Sequence, residues 1–194
     1  MKTLIGIPAR YGSTRFPGKP LTKIKGKEML LRVWKNALAA AKKFDGCEAV
    51  VATDDERIMD FCRQHNINAV MTSAECKTGT DRIVEAADSF AEKPEFVVNL
   101  QGDNPVCPEW FLEAVIGEYY KDNSIETVTP VVNLKWKELD DLREHKKATP
   151  FSGTTAVFDR NHDAFFFSKN IIPAVRKEEK LREEGEFSPV YRQV

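Results

Sequence analysis

The amino-acid sequence predicts an α/β fold built on a doubly wound, mostly parallel sheet. Two observations lead to this prediction. Short apolar runs of strand length alternate with amphipathic segments of about ten to fifteen residues, and the alternation continues to about residue 125. The chain has 194 residues, of which 42% are hydrophobic and 30% are charged, so it can bury one core of substantial size.

The first strand and the first helix are the clearest elements. The run Leu4–Ile7 is apolar and ends at Pro8, which predicts a short buried strand. After a long loop, residues 29–43 carry apolar side chains at helical spacing and predict an amphipathic helix. The chain therefore begins as strand, loop and helix, the first unit of a parallel sheet.

Three more apolar runs predict the other strands of this half, at residues 49–52, 69–71 and 96–100. Each run is short and continuous, as expected for strands that are covered on both faces. Because helical segments separate the runs, neighbouring strands should be parallel. The pattern is typical of a Rossmann-like sheet.

Helices are predicted between these strands. Residues 55–64 have one apolar face, and the next helix is expected to begin at Thr80, with Thr80 as its N-cap. A further helix is predicted after Pro108. Its inward side chains are expected to be Phe111, Ala114 and Val115.

The pattern loosens beyond about residue 125. Residues 127–132, 154–158 and 164–167 are predicted strands, and their short connections are typical of mixed or antiparallel pairing. We expect this mixed-sheet portion to complete the sheet and to shape a ligand pocket. The charge run 176–186 is interpreted as a solvated helix or loop without chemistry of its own.

Charge and cysteine usage exclude several classes of protein. The 29 basic residues nearly balance the 30 acidic residues, so we expect neither a nucleic acid nor a membrane as partner. The four cysteines form no C-x-x-C pair and the three histidines are scattered, which argues against a zinc site. We find no signal peptide and no membrane-spanning run, and we expect a cytoplasmic protein with reduced thiols.

The strongest functional signal is the loop of residues 8–21, which follows the first strand. Ligands of open α/β sheets bind beyond the carboxyl ends of the strands, so the loop is in the expected place. It concentrates three cations, Arg10, Arg15 and Lys19, with hydroxyl donors and two glycines that allow tight turns. Such a loop can hold a triphosphate, although its turns could also be purely structural. It matches neither a Walker A loop nor G-x-G-x-x-G.

Three other polar segments should lie along the same edge of the sheet. Asp103, after the fourth strand, could bind Mg²⁺, although Asp-Asn-Pro also makes a simple turn. Thr53-Asp54 follows the second strand, and a Thr-Gly-Thr segment at 78–80 allows close approach to a planar base. Arg82 could reach a phosphate or could be a structural partner of Asp81 or Glu85.

Taken together, these segments resemble the 3-deoxy-manno-octulosonate (Kdo) cytidylyltransferase family. The resemblance rests on four motifs in order: Pro-Ala-Arg-Tyr-Gly-Ser-Thr-Arg-Phe-Pro-Gly-Lys-Pro-Leu from Pro8, Ala-Thr-Asp from Ala52, Thr-Gly-Thr-Asp-Arg from Thr78 and Gln-Gly-Asp from Gln101. Residues 166–173 are similar to the family's Tyr-Phe-Ser-Arg segment, which the family places near its acceptor sugar. The similarity covers nearly the whole chain and implies a nucleotide-diphospho-sugar transferase-like fold.

The resemblance implies an enzyme that transfers CMP from CTP to the anomeric hydroxyl of Kdo, for lipopolysaccharide synthesis. Arg10, Lys19 and Asp103 would be catalytic, and Asp103 would bind Mg²⁺. The residues that it implies for CTP binding are Ala9, Arg10, Ser13, Arg15, Lys19, Thr53, Asp54, Thr78, Gly79, Thr80, Arg82 and Gln101. Lys169 and Arg192 are candidates for holding the sugar carboxylate.

The resemblance further implies one nucleotidyltransferase domain over residues 1–194, with a CTP-binding half at about 1–125 and a partial sugar-binding and dimerisation half at about 126–194. The chain ends at Val194 without the family's second metal-binding aspartate, and Gln193 stands where a histidine is common. It is interpreted as a shortened or a divergent member, and as a homodimer at full length. The open alternatives are the 8-amino-Kdo subgroup, a nucleotide-binding module without catalysis, and a related transferase for sialic acid.

Overall fold

The computed structural model describes residues 2–12 and 16–194, which fold as two compact units, one up to Glu126 and one over Thr127–Val194. The sequence analysis had placed the boundary between the two halves of the chain at about residue 125. In chain order the elements of the first unit are β1 (Thr3–Ala9), a 3-10 helix (Lys19–Leu21), β2 (Lys23–Ile24), β3 (Lys27–Glu28), α1 (Met29–Ala41), β4 (Cys47–Thr53), α2 (Glu56–Gln64), β5 (Ala69–Met71), α3 (Gly79–Asp88), β6 (Phe96–Asn99) and α4 (Glu109–Lys121).

The first unit is built on a parallel sheet of four strands in the order β5, β4, β1, β6. The chain moves outward from β1 to β5 and then crosses back to place β6 on the other side of β1. Because crossovers of parallel strands are right-handed, this reversal puts α1 and α3 on opposite faces, and both helices pack against β1 and β4. The predicted doubly wound α/β fold is confirmed.

The central strands β1 and β4 are covered on both faces, whereas the edge strands β5 and β6 are partly exposed, with Met71 41% and Val97 38% accessible. Leu4, Ile5 and Ile7 of β1 have no exposed surface. On the face covered by α3, Gly6 lets the helix approach closely, since a Cβ atom there would lie 2.5 Å from Cγ2 of Ile83. The strand at the centre of the sheet is therefore fixed from both sides.

The second unit contains β7 (Val131–Lys135), α5 (Trp136–Ala148), β8 (Thr155–Phe158), β9 (Ala164–Ser168), α6 (Glu178–Glu184) and β10 (Phe187–Gln193). Its strands form a separate antiparallel sheet in the order β7, β10, β8, β9. The expectation that this half completes the first sheet is wrong. Its core is an apolar cluster of Leu134, Trp136, Leu139, Leu142 and Val190.

Several predicted boundaries also need correction. The strand expected at 127–132 begins only at Val131, while α5 and β10 were not predicted. In α4 the inward residues are Leu112, Val115, Ile116 and Tyr119, whereas Ala114 is exposed. The N-cap of α3 is Thr78 rather than Thr80, because the Thr78 hydroxyl accepts a hydrogen bond from the amide of Asp81 and the Asp81 carboxylate accepts one from the amide of Thr78.

Two predicted features concern the chain as a whole. Among residues 2–12 and 16–194, no helix is both long and apolar enough to cross a bilayer.

All four cysteines carry free thiols. Burial raises the pKa of the thiols of Cys47 and Cys62 to about 11, so both are held as neutral groups.

Candidate active site

A cleft opens at the carboxyl ends of β1 and β6. These are the strands between which the direction of the crossovers reverses, and such a switch point is where open α/β sheets bind ligands. The cleft has a volume of about 730 Å³. It is lined by Pro8, Arg10, Phe16, Lys19, Pro20, Gly79, Gln101, Gly102 and Asp103.

The charged centre of the cleft is an ion pair between Lys19 and Asp103. The Nζ atom of Lys19 lies 2.7 Å from Oδ2 of Asp103, and the two side chains are 37% and 55% exposed. Lys19 is the first residue of the 3-10 helix in the loop of residues 8–21, whereas Asp103 follows β6. The fold thus brings together a cation and a carboxylate that are 84 positions apart in the sequence.

Arg10 lies near the beginning of the same loop, directly after β1. Its guanidinium donates a hydrogen bond to the carbonyl oxygen of Cys76, in the segment before α3. Its charge also contributes to the low pKa of Asp81, although the hydrogen bonds from Thr78 are the larger cause. Arg10 therefore ties the end of β1 to the start of α3 and contributes a positive charge to the cleft.

The start of α3 presents polar groups toward this edge of the sheet. Gly79, the first residue of the helix, lines the cleft. Thr80 accepts a hydrogen bond of 3.1 Å from the Asn99 side chain, which in turn accepts one of 2.9 Å from Gln101. Since the first amides of a helix lack intrahelical partners, this terminus can receive hydrogen-bond acceptors of a ligand.

Two glycines let the loops around the cleft approach β1. A Cβ atom on Gly102 would lie 2.5 Å from the carbonyl oxygen of Pro8, and one on Gly79 would lie 3.1 Å from Cγ of the same proline. The first contact is with backbone and leaves no room for a larger residue. Gly102 therefore fixes the segment between Gln101 and Asp103 against β1.

Arg82 is buried behind the cleft with no exposed surface. Its Nη2 atom lies 2.6 Å from Oδ2 of Asp54, and its Nη1 atom donates to the hydroxyl of Thr72. The guanidinium therefore forms its ion pair at the end of β4 rather than with the predicted partners Asp81 and Glu85, although its charge still contributes to the lowered pKa of Glu85, after the hydrogen bonds from Cys76 and Ser73. In this arrangement Arg82 holds Asp54 in place.

The predicted site residues fall into three groups. The structure brings five of them together in the lining of the cleft: Arg10, Lys19, Gly79, Gln101 and Asp103. Six others lie at the same sheet edge but outside the lining: Ala9, Thr53, Asp54, Thr78, Thr80 and Arg82. Ser13 and Arg15 lie outside the described residues, and the roles of all thirteen stay predictions.

The lining includes four residues that the site prediction left out: Pro8, Phe16, Pro20 and Gly102. All four stand beside predicted residues in the same motifs, so their position in the sequence was the available signal. Asn99 was also missed. Its link to Thr80 depends on α3 lying beside β6, which the sequence alone does not give.

The second unit gathers cations of its own. Lys169 donates a hydrogen bond of 2.7 Å to the hydroxyl of Thr154, and the Arg192 side chain lies close to Gly153. Lys146 donates to the carbonyl oxygens of Gly153 and Lys169. Its pKa is lowered first by burial and then by Lys169 and Arg192, so the three charges are near one another.

Asp103 has the properties of a Mg²⁺ ligand that shares the ion with a nucleotide. Mg²⁺ is often held by one or two carboxylates together with substrate phosphates, and Asp103 is exposed in the cleft beside two cations suited to phosphate. In the part of the chain that the structure describes, no three metal-ligating side chains cluster. The donor set therefore fits a metal–nucleotide complex rather than a metal bound by protein alone.

Comparison with known proteins identifies the family. The sequence model of the family described as cytidylyltransferase matches residues 4–193. The chain belongs to the cytidylyltransferase family. Within this family, the 3-deoxy-manno-octulosonate cytidylyltransferase of Maricaulis maris (strain MCS10) is 44% identical over 177 residues. That of Chlamydia abortus (strain DSM 27085 / S26/3) is 36% identical over 173 residues.

The similarity to these cytidylyltransferases covers most of this chain and part of theirs. It includes 91% of this chain and 67% of the M. maris protein, and 89% and 64% for the C. abortus protein. The chain thus spans about two thirds of the length of these relatives. Among solved structures, CMP:2-keto-3-deoxy-manno-octonic acid synthetase complexed with CTP matches all of this chain and 72% of its own, with a TM-score of 0.81 and 31% identity.

Proposed function

We propose that this cytidylyltransferase transfers CMP from CTP to the anomeric hydroxyl of Kdo and releases pyrophosphate. The observation that carries the proposal is the pairing of Lys19 with Asp103 in a cleft at the switch point of the sheet. Relatives that share 44% and 36% identity are named for this substrate, which supports the choice of sugar.

The residues of the cleft suit nucleotidyl transfer. Lys19 and Arg10 would hold the triphosphate, while the start of α3 at Gly79 and the Gln101 side chain would contact the nucleoside. The sugar hydroxyl oxygen would attack the α-phosphorus of CTP and lose its proton. The bond between that phosphorus and the oxygen that bridges it to the β-phosphate would break, and pyrophosphate would leave with that oxygen. Such reactions depend mainly on in-line positioning and on neutralising the phosphate charge.

Mg²⁺ is part of the proposal, with Asp103 as its protein ligand. When bound, the ion supplies positive charge to the phosphate oxygens and so favours the departure of pyrophosphate. Asp103 would hold the ion and Lys19 would hold a phosphate; the two side chains now pair at 2.7 Å. A homodimer and a cytoplasmic location also belong to the proposal, and the four free thiols support a reducing compartment.

The acceptor sugar carries a carboxylate, which needs a cationic partner. Lys169 and Arg192 are proposed for this role. Both are exposed in the second unit and lie near Lys146. Bringing cations together in this way is favourable only where an anion or solvent compensates their repulsion. The sugar carboxylate would provide that compensation.

The test is the release of pyrophosphate by the purified protein from CTP and Mg²⁺ with Kdo. Parallel reactions contain 8-amino-Kdo, sialic acid or no sugar, and others replace CTP by UTP. Release that requires both CTP and Kdo is the expected result. A preference for 8-amino-Kdo would reassign the acceptor. CTP binding without release under any condition would contradict the proposed transfer and favour a nucleotide-binding module.

A further inference from the structure

Tyr11 closes the base of the loop that carries Arg10 and Lys19. Its carbonyl oxygen accepts a hydrogen bond of 2.8 Å from the amide of Gly18, so the first and last parts of the loop are joined. Its ring lies against Gly18, where a Cβ atom would come within 3.0 Å of Tyr11 Cζ. Gly18 has a φ of 71°, a conformation that glycine adopts readily.

Arg57, near the start of α2, covers the ring of Tyr11. The Cζ atom of its guanidinium lies 3.3 Å from the ring centroid, which is the geometry of a cation–π contact. Arg57 does not line the cleft. It belongs to the neighbouring unit of β4 and α2, and among the described residues it contacts the loop at Tyr11.

The orientation of the Arg57 guanidinium is fixed by Asp55. Nε and Nη2 of Arg57 donate to Oδ1 and Oδ2 of Asp55 at 2.9 and 2.6 Å, a bidentate pair. Asp55 is itself the N-cap of α2, and its backbone amide donates to the hydroxyl of Thr53 at the end of β4. A continuous series of contacts thus runs from β4 through Asp55, Arg57 and Tyr11 to Gly18, the residue before Lys19.

We infer that Arg57 is a positioning residue for nucleotide binding, which acts by holding Tyr11 and, through it, Gly18, the residues that follow Arg10 and precede Lys19. The inference rests on the proposed function, because it takes this loop to be the phosphate site. A loop that is ordered before the ligand arrives loses less conformational freedom on binding. Removing an exposed cation–π contact should weaken CTP binding about two- to fivefold.

The test compares CTP dissociation constants of variants by calorimetry. Arg57→Met and Tyr11→Leu each remove the contact, and both should bind CTP about two- to fivefold more weakly. Tyr11→Phe keeps the ring but removes the hydroxyl, which after Asp55, the larger cause, helps to raise the pKa of Arg57, so its loss of affinity should be smaller than that of Tyr11→Leu. The double variant Arg57→Met/Tyr11→Leu should be no weaker than Tyr11→Leu alone, because one contact is lost in both cases.

Arg63→Met is the matched control, since Arg63 lies on the same helix, is 60% exposed and pairs with Asp60. It removes the same charge without touching Tyr11. If Arg57→Met changed CTP affinity no more than Arg63→Met, the effect would be general electrostatics and the positioning role would be wrong. An equal loss for Tyr11→Phe and Tyr11→Leu would overturn the assignment of the contact to the ring.

Hydrogen exchange at the Gly18 amide separates this inference from the proposed function. The amide is bonded to Tyr11, so its protection should fall in Arg57→Met and remain in Arg63→Met. If the unmodified protein failed to bind CTP while this difference was observed, the loop contact would stand and the proposed function would fail. Unchanged protection in Arg57→Met would overturn the inference itself.

Discussion

The Nζ atom of Lys19 and the Oδ2 atom of Asp103, 2.7 Å apart, pair the proposed phosphate ligand with the proposed metal ligand. Exposed ion pairs of this kind contribute at most about 1 kcal/mol to stability, because solvent screens them. Both side chains can therefore exchange this pair for other partners at little energetic expense. The arrangement places both groups together in the cleft and leaves both partly exposed to a ligand.

Replacing Lys19 should affect binding far more than stability. We expect Lys19→Met to raise the dissociation constant of CTP roughly tenfold or more, because a charge-assisted hydrogen bond to phosphate is lost. The melting temperature should change by less than about 4 °C. Calorimetry and thermal unfolding measure the two effects. The control is Lys93→Met, which breaks a comparable exposed pair with Asp88 away from the cleft. CTP affinity equal to that of the control would remove Lys19 from the site.

Asp103→Asn should abolish the contribution of Mg²⁺ to CTP binding. The amide cannot supply the negative charge that a hard cation prefers, but it keeps the size of the side chain. In the unmodified protein, CTP should bind more tightly with Mg²⁺ than with EDTA, and in the variant the two affinities should be closer. Titrations under both conditions test this. A variant that retained the full difference would show that another group holds the ion.

Gly102→Ala should destabilise the first unit and displace the segment that carries Gln101 and Asp103. The added methyl group would lie 2.5 Å from the Pro8 carbonyl oxygen, and overpacking of this kind costs about 1 to 3 kcal/mol. Gly117→Ala is the control, because a Cβ atom there meets nothing within 4 Å and Gly117 is inside α4. This control should be neutral or up to about 1 kcal/mol more stable. Equal unfolding midpoints in urea would contradict the proposed packing constraint.

The sequence predicts the parallel sheet well because its two central strands, β1 and β4, are covered on both faces. Leu4–Ile7 and residues 49–52 are continuous apolar runs, and the chain leaves each of them at the same edge of the sheet. Polar residues that directly follow such strands must then lie near one another. This is why Lys19 and Asp103 could be assigned to one edge from the sequence alone.

The second unit was harder to predict because its signals are weak or conflicting. Only three residues of α5 are buried among many charged ones, so its apolar stripe is short. β10 contains Pro189, which argues against a central strand, yet the strand pairs with both β7 and β8. Pro189 lies where the pairing with β7 shifts register, between Phe187 and Tyr191. Such an irregularity depends on tertiary pairing.

The site shows the same division between local and long-range signals. The N-cap of α3 could have been found, since Thr78 and Asp81 have the spacing of a capping box. The burial of Arg82 in α3 could not, because its ion pair depends on the position of Asp54, which follows β4. The stacking of Arg57 on Tyr11 likewise joins separate βα units.

The buried ion pair of Arg82 and Asp54 should matter for stability. Asp54→Asn would remove the carboxylate that lies 2.6 Å from the guanidinium of Arg82, which has no exposed surface. We expect a loss of roughly 2 to 3 kcal/mol, because Asp54 is partly exposed and its amide could keep one hydrogen bond. Asp60→Asn, which breaks the exposed pair with Arg63, should cost less than about 1 kcal/mol. Urea unfolding that showed equal losses would contradict the importance of burial.

The acid stability of the second unit should depend on Glu178. Its carboxylate accepts a bidentate pair from Arg143 and further bonds from Arg182, and these guanidinium groups lower its pKa from 4.5 to about 2. The charge run is therefore not simply solvated. Because the pKa of the folded state lies below that of the unfolded state, the stabilisation is complete above about pH 4.5 and is lost as the pH falls toward 2.

Glu178→Gln should remove this dependence, because glutamine does not titrate. The variant should be less stable than the unmodified protein at pH 6, and the difference should shrink as the pH is lowered from 5 to about 2. Glu144→Gln is the control, since Glu144 forms a pair with Lys147 in which both side chains are 73% exposed. Thermal unfolding monitored across this pH range measures the effect. A constant difference between Glu178→Gln and the unmodified protein would mean that the carboxylate stabilises the unit through shape rather than through charge.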